Sequence, residues 1–144
     1  QKEQGKNIAK RAQIIDRFNT LTRTIATSIL NEEKLKQRAK IMTKWIKVAD
    51  CLRKLNNFHT LMAVLSGFAE NSIFRLKATK AEIAPNTYGY VHSLVQIHLK
   101  DAYAAISELE ELEELMSSAG SNANYRKAFA AAKPPGIPYM YVFL

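Results

Sequence analysis

Three histidines and a run of glutamates are the residues of this chain whose types could support acid–base or metal chemistry. His59, His92 and His98 do not share a helix face at i, i+4 spacing, so they do not predict a metal site. His59 lies next to the buried face of the apolar helix that follows Asn57, which favours a packed, hydrogen-bonded histidine over a general base. The five glutamates within residues 108–114 indicate a solvated helix face rather than an acid–base pair.

Sequence motifs of covalent or cofactor chemistry are also missing from the 144 residues. There is no Gly-rich phosphate loop, no zinc-spaced Cys/His set and no nucleophile elbow. We therefore expect no catalytic residues in the covalent sense, no metal and no cofactor.

Length, composition and cysteine content indicate one soluble domain. The chain is 47% hydrophobic and 24% charged, and 144 residues are enough for one core. No run approaches the roughly 18–20 apolar residues that span a bilayer, and the polar start lacks a signal peptide's apolar region. Cys51 is the only cysteine, which favours a reducing, cytoplasmic location. The start is not methionine, so we expect a piece of a longer protein.

The net charge of +8 is concentrated at one end of the chain. Residues 1–55 hold 14 Lys/Arg against 5 Asp/Glu, whereas the remaining residues hold 7 against 8. Such an excess suits nucleic acid, an anionic membrane surface or an acidic partner, and it is equally compatible with a solvated basic face.

Apolar periodicity predicts helices through most of the chain. Residues 8–30 carry one apolar stripe at steps of 3 and 4, and a second stripe follows after Asn31, which we expect to cap that helix with Glu32 and Glu33 in its first turn. The two stripes are Ile14, Phe18, Leu21, Ile25 and Ile29, then Leu35, Ala39, Met42, Ile46 and Ala49.

The stretch from residue 49 to residue 68 predicts the centre of the domain. Asn56 and Asn57 are good caps and poor interior residues, and the helix after them is apolar almost all round. A helix with little polar face is normally buried, so the other helices should pack around it.

The second half of the chain is less regular. A long helix is predicted from about Thr87 to Ser117, and a short one from Asn122 to Ala132. Residues 134–138 contain three prolines and cannot be helical. The apolar residues 139–144 should be buried or continue into a further segment.

Several short sequence motifs, in a fixed order, resemble the catalytic domain of the guanine-nucleotide exchange factors for Ras-family small GTPases. The resemblance covers residues 8–79 and 108–144, whereas residues 80–107 are longer than the family's link and match nothing. It makes residues 1–144 a partial exchange-factor domain, incomplete at both ends. The motifs that carry the resemblance include Phe18-Asn19-Thr20-Leu21, Lys36-Gln37-Arg38-Ala39, Trp45-Ile46-Lys47-Val48-Ala49, Leu55-Asn56-Asn57-Phe58-His59-Thr60-Leu61-Met62-Ala63-Val64, Ser66-Gly67-Phe68, Ile73-Phe74-Arg75-Leu76-Lys77, Asn124-Tyr125-Arg126-Lys127-Ala128-Phe129 and Pro134-Pro135-Gly136-Ile137-Pro138-Tyr139.

The resemblance implies an all-α, bowl-like domain that promotes GDP release and GTP loading on a Ras-type or Rap-type GTPase in signal transduction. It implies no covalent chemistry and no nucleic-acid partner, and it is compatible with recruitment to the anionic inner membrane surface. Carried over by motif, the residues that face the GTPase's second switch are Ile15, Asn19, Met62, Ser66 and Met140, with Tyr125 near the same surface.

Some positions depart from the family pattern. Ala69 stands where the family usually has Asn, and Thr24 and Lys80 stand where it usually has Trp. The family's hairpin, which opens the nucleotide site, follows the Ile-Pro-aromatic segment, so we expect it after Leu144. Two alternatives stay open: a non-catalytic scaffold with the same fold, and a basic helical domain for nucleic acid or anionic lipid.

Overall fold

The structure is a computed structural model that describes residues 2–83 and 107–142, with side chains from residue 8 onward. Within these ranges the secondary structure is helical, and the only β pairing is an isolated bridge. The helices are α1 (Lys2–Leu30), α2 (Leu35–Lys54), α3 (Phe58–Ala69), α4 (Asn71–Phe74), α5 (Lys77–Ile83), α6 (helical residues 107–115) and α7 (Ala119–Ala131). A 3-10 turn, Met140–Val142, follows. The prediction of an all-α domain is confirmed.

α3 lies at the centre of the helices, as its apolar sequence predicts. It contacts α1, α2 and α4, and seven of its twelve residues are buried. The Thr22 hydroxyl of α1 donates a hydrogen bond to the Ala63 carbonyl of α3, at 3.1 Å between the oxygens. The buried residues of α3 are Phe58, Leu61, Ala63, Val64, Leu65, Gly67 and Phe68.

The apolar stripes of α1 and α2 face this centre. Ile25 and Ile29 of α1 are fully buried, and the stripe becomes half-buried toward Ile14. In α2 the stripe is buried except at Leu35, which is 36% exposed at the helix's first residue. Trp45 packs at the edge of the core and donates a hydrogen bond from its indole Nε1 to Ser28.

The start of α2 differs from the sequence prediction. Asn31 donates its backbone N–H to Thr27 and so belongs to the end of α1, while the N-cap of α2 is Lys34, without a side-chain cap. Glu32 instead accepts the backbone N–H of Lys34, at 3.2 Å. The prediction of an Asn31 cap was wrong because three further residues are needed to turn the chain from α1 into α2.

The second half of the chain closes the core from the other side. Leu109 and Leu112 of α6 are buried, as is Met116 just after it. α7 starts through a left-handed turn in which Gly120, Ser121 and Asn122 all have φ near 55–60°. The predicted helix from Thr87 is confirmed for residues 107–115, and its earlier part lies outside the described residues, as does most of the unmatched segment 80–107. None of the described helices is long and apolar enough to cross a membrane.

Candidate functional site

A cleft of about 440 Å³ lies between α3, the end of α6 and the C-terminal turn. Met62, Leu65 and Ser66 contribute the α3 wall, and Ala69 lies at its end. The walls are mainly thioether, aliphatic and aromatic groups with a few hydroxyl and amide groups between them, which suits an apolar anchor of a partner. The opposite walls are formed by Glu113, Met116, Ser117, Ser118, Asn122, Tyr139, Tyr141 and Val142.

The corner before α3 determines how α3 presents Met62 and Ser66. Asn56 has φ of 56°, a left-handed conformation that asparagine tolerates better than most residues, and it reverses the chain after α2. The Asn57 side chain accepts the backbone N–H of Thr60, at 3.2 Å, which confirms the predicted cap. Met62 and Ser66 then lie one turn apart, both half-buried.

The same corner holds the proline-rich segment. Ile137 donates its N–H to the Asn56 carbonyl, and Phe58 donates its N–H to the Ile137 carbonyl, each at 2.9 Å. A Cβ on Gly136 would lie 3.2 Å from the Cβ of Asn56, so this close approach favours glycine. The corner therefore fixes the entry of α3 and the position of residues 139–142 together.

Two side chains accept the successive backbone N–H groups that lead into the C-terminal turn. The Tyr139 N–H donates to the Tyr125 hydroxyl at 2.8 Å, and the Met140 N–H donates to His59 Nδ1 at 3.5 Å. The His59 ring stacks on Tyr141, with centroids 6.3 Å apart and an interplanar angle of 18°. α7 and α3 thus hold the segment that carries Met140 and one wall of the cleft.

Tyr125 is fully buried, so its side chain does not reach the surface that the family resemblance assigned to it. Its ring packs on Phe58 and Phe129 at centroid distances of 5.3 and 5.8 Å. Burial raises the pKa of its phenol, and the Tyr139 N–H partly opposes that rise. In this structure Tyr125 positions the C-terminal turn through its hydroxyl and through its ring contact with Tyr139.

Replacing Tyr125 with phenylalanine should destabilise the protein by about 1–3 kcal/mol, because the half-buried Tyr139 N–H loses its acceptor. Urea unfolding measures the change. Tyr141→Phe is the matched control, since Tyr141 is 39% exposed and its ring contacts are retained. Equal stability of the two variants would contradict the positioning role.

This arrangement favours the neutral form of His59. Its Nδ1 accepts a hydrogen bond, and partial burial lowers its pKa from the ordinary value of 6.5. The titratable groups that pack on the ring are the phenols of Tyr139 and Tyr141. Protonation would turn Nδ1 into a donor facing the Met140 N–H.

This arrangement predicts a pH-dependent stability. The folded protein protonates His59 less readily than the unfolded chain does. The stabilisation that neutral His59 provides is therefore complete above pH 6.5 and decreases as the pH falls below that value. His59→Asn places a non-titrating acceptor near the position of Nδ1, and we expect the difference in free energy of unfolding between wild type and this variant to be smaller at pH 5.5 than at pH 7.5. A difference that is constant with pH, in urea unfolding at both values, would contradict this.

Ile15 and Asn19 lie one turn apart on α1 and do not line the cleft. Ile15 is half-buried and Asn19 is exposed. Phe18, between them in sequence, has its ring centroid 5.3 Å from those of both His59 and Tyr141. Phe18 therefore connects the part of α1 that carries Ile15 and Asn19 to the C-terminal turn. The sequence motifs did not assign Phe18 to the site.

The sequence motifs also did not predict the opposite wall of the cleft. Met116, Tyr139 and Val142 could not be assigned from local patterns, although the apolar character of residues 139–144 did indicate burial. Glu113 is exposed, as expected for a solvated helix face, and it also lines the cleft. Partial burial raises the pKa of Glu113, and Lys80 opposes that rise. Across the described ranges no group of three His, Cys, Asp or Glu residues could hold a metal ion.

Comparison with known proteins identifies the family. The RasGEF domain model matches residues 1–144. Among curated proteins of Dictyostelium discoideum, Ras guanine nucleotide exchange factor J is 42% identical over 132 residues, which is 91% of this chain and 14% of that protein. Factor I is 41% identical over 133 residues, covering 92% and 14%, and factor A is 35% identical over 143 residues, covering 99% and 20%.

The chain thus spans only a seventh to a fifth of the length of these relatives, but the match extends over nearly all of its own residues. The capped α3, the Ile137–Asn56 pairing and the cleft all lie within the matched region. The chain belongs to the RasGEF domain family.

Proposed function

We propose that the protein carrying this chain is a guanine-nucleotide exchange factor for a Ras-family small GTPase of the Ras or Rap type. The observation that carries the proposal is the cleft lined by Met62 and Ser66. The family resemblance of the sequence implies that both positions contact the GTPase. The relatives' names, all Ras guanine nucleotide exchange factors, support the same function.

In this proposal the contact residues are Ile15, Asn19, Met62, Ser66 and Met140. Met62, Leu65 and Met116 provide an apolar floor, and the Ser66 hydroxyl is available for a hydrogen bond to the partner. An apolar anchor of the GTPase's second switch would bury itself there, which is the common form of an interface hot spot. Tyr125 and His59 would act by holding Met140 and the C-terminal wall in place.

The proposed mechanism is thermodynamic linkage rather than covalent chemistry. A protein that binds the nucleotide-free GTPase more tightly than the GDP-loaded form must weaken GDP binding by the same factor. Nucleotide release is then followed by loading of whichever guanine nucleotide is in excess. The location that suits this activity is the cytoplasm, at the inner membrane surface where an anionic surface is available.

A nucleotide-release assay tests the proposal. The full-length protein is mixed with Ras, Rap or Ral loaded with a fluorescent GDP analogue, and the loss of fluorescence is followed after excess GTP is added. Acceleration with at least one of these GTPases is expected. Binding without acceleration would favour the scaffold, which the family match does not favour, and no effect on any of the three would refute the proposal.

A further inference from the structure

The solvent face of α2 carries a row of lysines, which we call the lysine row: Lys36, Lys40, Lys44 and Lys47. All four are exposed and follow one another at steps of 4, 4 and 3 residues, which places them on one helix face. The buried residues of α2, such as Met42 and Ile46, face the opposite way. The eleven helical steps from Lys36 to Lys47 make the row about 16 Å long.

None of the four lysines of the row forms an ion pair with a described residue. Asp50 is the only acidic residue of α2, and it pairs with Lys54 rather than with the row. Arg38 of the same helix also has structural partners, since its guanidinium donates to the Thr79 hydroxyl and to the Glu32 carbonyl. The cations that support the fold are therefore paired, while no hydrogen bond or ion pair joins the row to any described residue.

Unpaired like charges one turn apart destabilise a helix, so the row is not explained by the stability of α2. An anionic surface would remove that repulsion and gain favourable contacts from each lysine. The row ends near Val48, whose side chain is 40% exposed and adds an apolar group beside the charges.

The shape and chemistry of the row favour a membrane over a folded partner or a nucleic acid. The row lies on the convex face of one helix, and none of its four residues lines the clefts next to α2 at Asp50–Arg53 or Arg53–Phe58. All four cations are lysines, which act as flexible point charges, whereas planar bidentate recognition of phosphate in nucleic acids favours arginine. A bilayer presents mobile anionic headgroups that adapt to such a face.

We propose that the lysine row is a binding surface for anionic phospholipid membranes. None of its residues lines the GTPase cleft, so membrane binding through the row and partner binding in the cleft use different side chains. The inference does not depend on the exchange activity and stands if that proposal fails.

Co-sedimentation of the full-length protein with vesicles tests the proposal. The vesicles are phosphatidylcholine with about 30% phosphatidylserine, and pure phosphatidylcholine serves as the neutral comparison. Each lysine near an anionic surface contributes about fivefold in affinity. Replacing all four row lysines with alanine should therefore weaken binding at least about a hundredfold, and raising the salt concentration should weaken wild-type binding.

The matched control replaces four exposed lysines elsewhere, Lys10, Lys77, Lys127 and Lys133, and so removes the same charge. We expect it to lose only a few-fold in affinity. A Lys→Gln version of the row variant replaces it if the alanine version unfolds.

The proposal would be overturned by equal losses of affinity for row and control variants, by no loss in the row variant, or by no wild-type binding to anionic vesicles. Row-dependent binding to a DNA duplex instead of vesicles would replace it with a nucleic-acid surface. Exchange on a soluble GTPase without vesicles should be unchanged in the row variant, which separates the two proposals.

Discussion

Replacing Met62 with aspartate is expected to lower kcat/KM for nucleotide exchange at least about 30-fold, the equivalent of about 2 kcal/mol of lost hot-spot contact. Met62 is half-buried on α3 and lines the cleft beside Leu65 and Met116. The carboxylate removes the apolar contact and adds a second negative charge to walls that already contain Glu113. The release of a fluorescent GDP analogue, measured over a range of exchange-factor concentrations, gives kcat/KM.

Val48→Asp is the matched control for this variant. Val48 is an apolar helix residue, 40% exposed on α2, and it does not line the cleft. We expect exchange within twofold of wild type. Because Met62 also packs against the core, Met62→Gln tests the same contact without a charge, and it should still lose about tenfold. If both Met62 variants fold and exchange within threefold of wild type, the cleft is not the GTPase contact.

Replacing Gly67 with valine should destabilise the protein by about 3 kcal/mol, because the added side chain overpacks the contact between α1 and α3. A Cβ at this position would lie 2.9 Å from Ile25 Cγ2 and 3.2 Å from the Thr22 carbonyl oxygen of α1. Both neighbours are buried, and Thr22 is held by its hydrogen bond to Ala63. The helices must therefore separate along their contact, and urea unfolding measures the cost.

Ala69→Val places the same β-branched residue at the exposed end of the same helix. It should change the free energy of unfolding by no more than about 0.5 kcal/mol, as expected for a surface position. If Gly67→Val were as stable as this control, the close approach of α1 and α3 could not be the reason for glycine at position 67.

The helices of this protein were largely predictable because the signals that specify them are local. Apolar residues at steps of 3 and 4 predict the buried faces of α1 and α2, and the structure buries Ile25, Met42 and Ile46. The Asn57 cap was equally predictable, since its acceptor reaches an N–H only three residues away. The start of α2 was not predictable in this way. Asn31 is of a residue type that often caps helices, but here it completes the last turn of α1.

The site was predictable only in part, for a different reason. The family motifs pointed to Met62 and Ser66, but the wall that faces them comes from Met116 and Tyr139, at least fifty residues later in the chain. No periodicity relates segments so far apart, and only packing brings them together. Tyr125 shows the same limit, because its motif suggested a surface role while the tertiary structure buries it under the turn that it positions.

Residue spacing and short motifs were enough to predict the helical class, the family, the buried character of α3 and the basic excess of residues 1–55. These depend on side-chain spacing and on caps within a few residues of one another. The packing of the helices determines which side chains share the cleft, how His59 and Tyr125 hold the C-terminal turn, and why glycine stands at position 67. These depend on contacts between distant segments, whose geometry is set by the packing of the whole core.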